Sequence, residues 1–190
     1  MMKIGLDLDG VIIDHTSNRI FKSKELGYDV KPFQTPTHLI KTILAPDHYK
    51  ELQAFTYGPA SLSAFVMDGA TEHLGKLASE NEFFIISRRN IYDGGDKLGL
   101  KWLENNGIFN FIPEKNIFFV AHDEKGAKNV MAKKLGLEVY LDDQLKILEE
   151  IPDVKTRVLF DQHNVSTPPS PYAKVVSWPE FANLVGNLKE

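Results

Sequence analysis

No cysteine occurs in the 190 residues. Disulfides, thiolate metal sites and cysteine nucleophiles are therefore excluded, and a cytoplasmic location fits better than a secreted disulfide scaffold. No run approaches the ~18 consecutive apolar residues of a membrane span. Met1-Met2-Lys3 leads within a few residues to Asp7 and Asp9, so the start lacks the apolar stretch of a signal peptide. Excess positive charge is also missing. The formal net charge is -4, from 22 Lys and Arg against 26 Asp and Glu. That argues against a nucleic-acid polymer as partner, though a local pocket for a small anion remains compatible. The six histidines, His15, His38, His48, His73, His122 and His163, show no metal-ligand spacing. Of these, His15 stands out because it closely follows an acidic loop.

What is present suits one packed domain with a small insertion: 43% hydrophobic and 25% charged residues. Five apolar runs read as strands buried on both faces, because their hydrophobicity is continuous rather than alternating. They are Ile4 to Leu8, Phe83 to Ile86, Ile117 to Val120, Val139 to Leu141, and Val158 to Phe160. Helical stripes lie between them: Ala70, Leu74, Leu77 and Ala78; Leu98, Trp102 and Leu103; Ala127, Val130, Met131 and Leu135, with Gly136 as the stop. A further helix is expected from Gln144, carrying Leu145, Leu148 and Ile151 and stopped by Pro152. A last short strand and a helix opened by Pro179 should follow the Pro-rich loop at Thr167 to Pro171.

Strands alternating with helices imply an α/β fold: a doubly wound, mostly parallel, Rossmann-like sheet. The stretch from His15 to Phe65 has helical patches and four prolines but no clear strand before Phe83. It is too long for a plain connection. The expected division is a catalytic core of residues 1–14 and 66–190, with a small helical cap at 15–65 inserted after the first strand.

Ligands of open parallel sheets bind beyond the carboxyl ends of the strands, and polar residues collect there. The first run ends in Asp7 and Asp9, the second in Ser87-Arg88-Arg89, and a later one in Asp142-Asp143. Asp7 and Asp9 project to the same side of an extended chain, so one can attack phosphorus while the other handles a proton. A carboxylate attacks a dianionic phosphate only when that charge is neutralised. Such a site calls for a hard cation with oxygen ligands, expected to be Mg²⁺, and for cationic and hydroxyl donors on the phosphate. A lone DxD is as often a surface loop, but its place after a buried run weighs against that.

Adjacent acids on an extended chain point opposite ways, so only one of Asp142 and Asp143 is expected to reach the metal; the other can cap the next helix. Ser87 alone would be an unremarkable hydroxyl. With Arg88 and Arg89 it forms a candidate phosphate cradle, at least one of the two arginines being expected to be solvated surface. Lys125 and Lys128 lie near a helix N-terminus, where the macrodipole disfavours cations unless an anion is near. Lys128 is the expected phosphate lysine and Lys125 the alternative.

These residues resemble the haloacid dehalogenase superfamily of phosphohydrolases. Asp7-Leu8-Asp9-Gly10-Val11 is similar to its first motif, Ser87 to its second, Lys128 to its third and Leu141-Asp142-Asp143 to its fourth. Within it, the chain most resembles the 5'(3')-deoxyribonucleotidase group. The features in common are the short helical insertion, Asp68-Gly69-Ala70, Lys101-Trp102-Leu103, and Lys128 leading through Leu135-Gly136 to the final acids. His15 departs from that group, which often has an aromatic there, and so does Ser-Arg-Arg.

The resemblance implies roles. Asp7 would form an aspartyl-phosphate, with Asp9 as general acid and then base. Asp7, the Asp9 carbonyl and Asp143 would bind Mg²⁺, backed by Asp142, while Ser87 and Lys128 would hold the phosphate, with Arg88 of the candidate cradle expected beside them. The expected substrate is a small phosphorylated molecule, a nucleoside monophosphate first and a sugar phosphate or other phosphomonoester second; a homodimer is allowed for. A dehalogenase would not need Asp9, and a non-catalytic binding module would not need all four motifs. Phe33, Phe55, Tyr57 and Phe65 supply rings in the insertion. Phe55, Tyr57 and His15 are the candidate substrate contacts, whereas Phe65 is expected to pack on the core.

Overall fold

A computed structural model describes residues 1–89, 94–121 and 124–189; His122 lies outside them. Six strands form one sheet in the order β5-β4-β1-β6-β7-β8. They are β1 (Lys3–Leu6), β4 (Glu82–Ser87), β5 (Ile117–Phe119), β6 (Val139–Asp142), β7 (Thr156–Phe160) and β8 (Ala173–Val175). Every pairing in it is parallel. The fold is thus the expected α/β type, with β1 central and the chain winding outward to both edges.

The continuous apolar runs are explained by two buried faces. In β4, Phe83 and Ile85 enter one core and Phe84 and Ile86 the other. The first core packs the sheet against α4 (Ala70–Leu77), α5 (Gly95–Asn105) and α8 (Trp178–Asn187), through Leu74, Trp102, Leu103 and Phe181. The second packs it against α6 (Ala127–Leu135) and α7 (Leu145–Glu149), through Ala132, Ile147 and Leu148. Each such side chain contributes ~1.5–3 kcal/mol on burial, so a charge placed at Ile85 would breach the core. Val130, expected on the inward stripe of α6, is instead 65% exposed; Ala132 takes the inward position. Gly136 ends the helix in the left-handed conformation as its sequence position predicts.

Two short strands were not legible in the sequence. β2 (Ile13–Asp14) and β3 (Phe65–Val66) pair antiparallel and bracket the insertion at its base. Two indoles clamp this base. Trp178 Nε1 donates to the Val11 carbonyl at 3.0 Å, and Trp102 Nε1 to the Ala64 carbonyl at 2.9 Å. Between the two strands run α1 (Thr16–Glu25), α2 (Thr37–Ile43) and α3 (Pro46–Tyr57). Val30, Ile40, Leu44 and Leu52 form an apolar cluster of their own there. Phe65 does not pack on the core as expected. It is 65% exposed, because a two-residue ribbon leaves its side chain facing out.

Candidate active site

The carboxyl ends of β1, β4 and β6 meet at one point, and the four sequence motifs lie there. Asp7 follows β1, and its backbone N–H still donates to the Leu141 carbonyl of β6 at 2.9 Å. The chain then turns through Gly10, whose φ is +87°. A Cβ at that position would lie 2.5 Å from Asp143 Oδ2. Glycine is required there twice over, for its left-handed backbone and for the close approach of the fourth motif.

Lys128 binds the motifs together. It is buried in the first turn of α6, and its ammonium donates to Asp7 Oδ1 at 2.7 Å and Asp142 Oδ2 at 2.8 Å. Burial opposes its charge, but the two carboxylates outweigh burial and raise its pKa well above the ordinary lysine range. Lys125 is exposed and lines a surface groove with Arg88 and Glu150 instead. The anion that reconciles a lysine with a helix N-terminus is Asp7.

Asp7, Asp142 and Asp143 place carboxylate oxygens within 4.8 Å of one another. Burial, followed by the charges of Asp142 and Asp7, pushes the Asp143 carboxyl well above its ordinary range. Asp7 is pushed up to about 7, chiefly by burial, with Lys128 opposing and Asp142 and Asp9 adding. Two buried acids and a half-buried one, crowded together with one ammonium among the described residues, fit a divalent cation, which would relieve the repulsion and stabilise the charged forms.

β6 ends at Asp142, so the chain has turned by Asp143 and both carboxylates reach the cluster. They differ in what they have left to offer. Asp142 accepts from Lys128 on one oxygen and from the Gln144 N–H on the other, at 3.0 Å. Among the described residues Asp143 accepts one hydrogen bond, a long one of 3.5 Å from Gln144 Nε2. The helix after it begins at Leu145, with Gln144 as its cap rather than its first residue.

Asp9 sits in a different setting. His15 Nε2 lies 2.7 Å from its Oδ1, and Arg89 Nη1 is 3.7 Å from the same atom. Burial works against ionisation, but Arg89 and the His15 hydrogen bond together hold this carboxyl below the usual range. His15 is buried, with its ring edge-on to Tyr57 at 5.5 Å. It reaches the site by supporting Asp9.

A cavity of about 290 Å³ opens above these groups. Its floor is Asp7, Asp9, Ser87, Arg89 and Lys128, and its roof is Thr37 with Tyr49, Gln53 and Tyr57 of α3. The three α3 residues are four apart, one face of the helix. Phe55 lies off that face and does not line the cavity; it stacks on Phe21 at 6.1 Å. The stripe 49/53/57 was visible as a spacing, but nothing in the sequence says which face of α3 looks down on the acids.

Ser87 Oγ accepts the Arg89 N–H at 3.2 Å, which leaves its own hydrogen free to donate. Arg88 also lines the cavity, but its guanidinium donates to Glu150 at 2.8 Å. Neither arginine is the solvated surface residue that was expected, since Arg88 is largely and Arg89 wholly withdrawn from solvent. Of the two arginines of the candidate cradle, Arg88 is paired with Glu150 and Arg89 stands beside Asp9, a difference that their adjacency in the sequence does not signal.

Residues 1–189 match the protein family described as 5' nucleotidase, deoxy (pyrimidine), cytosolic type C protein. The chain belongs to this family. It is a hydrolase of the phosphatase and nucleotidase kind, with a haloacid dehalogenase-like fold. Among solved structures, a conserved haloacid dehalogenase-like protein of unknown function from Agrobacterium tumefaciens superposes with a TM-score of 0.69 at 13% identity. That match covers 99% of both chains. A haloacid dehalogenase-like hydrolase from Streptococcus pneumoniae gives 0.66 at 13% identity, over 97% of this chain and 98% of that one. A family IA hydrolase from Entamoeba histolytica gives 0.64 at 16% identity over the whole of both. At such identities the structural likeness concerns the fold alone. No curated protein matches the chain. Among the described residues, no helix is long and apolar enough to cross a membrane.

Proposed function

We propose that this enzyme hydrolyses phosphomonoesters through an aspartyl-phosphate on Asp7, with nucleoside monophosphates as its substrates. The observation that carries the reading is the Asp7 carboxylate, held by Lys128 at 2.7 Å on the floor of a cavity it shares with Asp9 and Ser87. An oxygen of Asp7 forms a bond to phosphorus as the bond to the leaving oxygen breaks, and Asp9, ionised in the free site, takes up a proton with the incoming substrate and passes it to that oxygen. Water then attacks the same phosphorus and gives a proton to Asp9. The bond to Asp7 breaks, releasing inorganic phosphate and restoring both acids. Ser87 and Lys128 donate to the phosphoryl oxygens throughout.

Mg²⁺ would be held by Asp7, Asp143 and the Asp9 carbonyl, and it would supply the charge neutralisation that lets a carboxylate approach a phosphate dianion. Asp142, with both oxygens already engaged, orients Lys128 and the turn. Residues 15–65 act as a cap that selects the leaving group, a nucleoside stacking on Tyr57 or Tyr49 of α3. The family description supports a nucleotide substrate and a cytoplasmic setting.

A panel of deoxynucleoside and ribonucleoside monophosphates, sugar phosphates and p-nitrophenyl phosphate, assayed for phosphate release with Mg²⁺ and with EDTA, tests the reading. Nucleotides should be the best substrates, EDTA should stop turnover, and Asp7→Asn should abolish it in a folded protein. Turnover by the Asn variant near the wild-type rate would remove Asp7 from the mechanism. A clear preference for sugar phosphates would replace the nucleotide assignment.

A further inference from the structure

Arg89 is 2% exposed, and its Nε, Nη1 and Nη2 have no hydrogen-bond partner among the described residues. Its nearest charge is Asp9 Oδ1, at a distance of 3.7 Å that is too long for a hydrogen bond. The Tyr57 ring lies 5.9 Å from the guanidinium carbon. A guanidinium is always charged and carries five N–H donors. Burying it with those donors unmet is among the costlier things a fold can do.

This fold does satisfy a half-buried arginine nearby. Arg19 donates to the Thr35 carbonyl at 2.8 Å, to Thr37 Oγ1 at 3.4 Å and to the Tyr57 hydroxyl at 3.0 Å. The other cations of the site are also engaged, Lys128 by Asp7 and Asp142, and Arg88 by Glu150. Arg89 lines the same cavity as Asp7, Asp9 and Ser87 with its donors unspent.

We propose that Arg89 is a substrate-binding residue whose guanidinium grips phosphoryl oxygens on the Asp9 side of the site, as Lys128 serves the Asp7 side. The inference rests on the reading of the cavity as a phosphomonoester site. A phosphoryl group presents pairs of oxygens that match the guanidinium fork, and a charge-assisted bidentate contact would satisfy the unmet donors. It would also fix the phosphate next to the acid that handles the leaving group. Arg88, the cation nearer the motif serine, is diverted by Glu150.

The test is calorimetric binding of inorganic phosphate, with Mg²⁺ and separately with EDTA, to wild type, Arg89→Met and Arg89→Lys, alongside melting curves. Arg89→Met should weaken phosphate binding by about thirtyfold or more, the scale of losing one partner of a buried charged pair. Arg89→Lys, which keeps the charge but loses the fork, should fall in between. Without phosphate, the Met variant should melt close to wild type, because the loss of the 3.7 Å ion pair with Asp9 is offset by removing a buried cation whose N–H donors are unmet. Phosphate should raise its melting temperature less.

Phosphate affinity within about threefold of wild type in the Met variant, or in the Lys variant if the Met variant fails to fold, overturns the proposal. So does slowed turnover with phosphate binding intact, which would mean that Arg89 acts only on Asp9. A wild-type protein that binds no phosphate in either condition overturns it too. If the protein binds phosphate through Arg89 yet hydrolyses no phosphomonoester, the catalytic reading fails and this one stands.

Discussion

Replacing Lys128 by Met tests whether one ammonium holds the site together. The Met side chain is close to the lysine stem in length and leaves little cavity, so the loss is electrostatic. What remains is two buried carboxylates, Asp7 and Asp142, each deprived of a contact of 2.7 or 2.8 Å. Breaking a buried ion pair by removing one partner costs about 3–5 kcal/mol. Asp7, already pushed up to about 7, escapes part of this by taking a proton, which favours the low end, ~3 kcal/mol. For a chain of this size each kcal/mol moves the melting temperature by roughly 2–4 °C. Calorimetry in EDTA should therefore show a drop of about 6–12 °C.

Adding Asp142→Asn to the Met variant removes one of the stranded charges and should restore at least half of the loss. Phosphatase turnover should fall by ~10²–10³ in the single variant, the scale of losing a charge contact to the reacting group. It should not recover in the double variant. Lys125→Met is the control, an exposed change expected to stay within about 0.5 kcal/mol. Melting within about 2 °C of wild type together with turnover near the wild-type rate would refute the placement of Lys128 at the centre of the charge cluster.

Gly10→Ala should destabilise by roughly 1–3 kcal/mol, because φ is +87° and the new Cβ meets Asp143 Oδ2 at 2.5 Å. Displacing Asp143 should also raise the Mg²⁺ concentration needed for half-maximal activity; an unchanged Mg²⁺ requirement would argue that Asp143 is not a ligand. Tyr57→Ala should raise KM for nucleoside monophosphates by about tenfold, the scale of a lost base stack, while p-nitrophenyl phosphate kinetics change little. Phe55→Ala should leave both substrates nearly unaffected and lower only stability, since that ring packs on Phe21. Equal effects of the two substitutions on nucleotide KM would reverse the assignment of the α3 faces.

The architecture was legible in the sequence because its signals are local. A strand buried on two faces must be apolar at every position, and Phe83 to Ile86 can be recognised without knowing what packs against it. The same holds for the acids that end such runs and for Gly136, whose helix-stopping role depends on its own backbone. Short-range pattern was weakest in the insertion. A ribbon of two residues a side, Ile13–Asp14 against Phe65–Val66, has no periodicity to display, and so Phe65 was placed on the core when it faces out.

The chemistry of each side chain was decided elsewhere. Lys128 meets Asp7 across 121 positions of sequence, and only closure of the sheet makes that lysine differ from the exposed Lys125 three residues earlier, in the turn before α6. Arg88 and Arg89 are indistinguishable as neighbours in a chain. In the fold, Glu150 engages the first, and the second is shut in beneath α3 with its side-chain donors unmet among the described residues. Asp142 and Asp143 converge because the strand stops between them. The sequence by itself determined which residue types stand at the sheet's carboxyl edge. Partner, burial and direction came from the tertiary structure, because electrostatic and hydrogen-bond energies depend on distance and desolvation, and neither is a property of a residue's place in the chain.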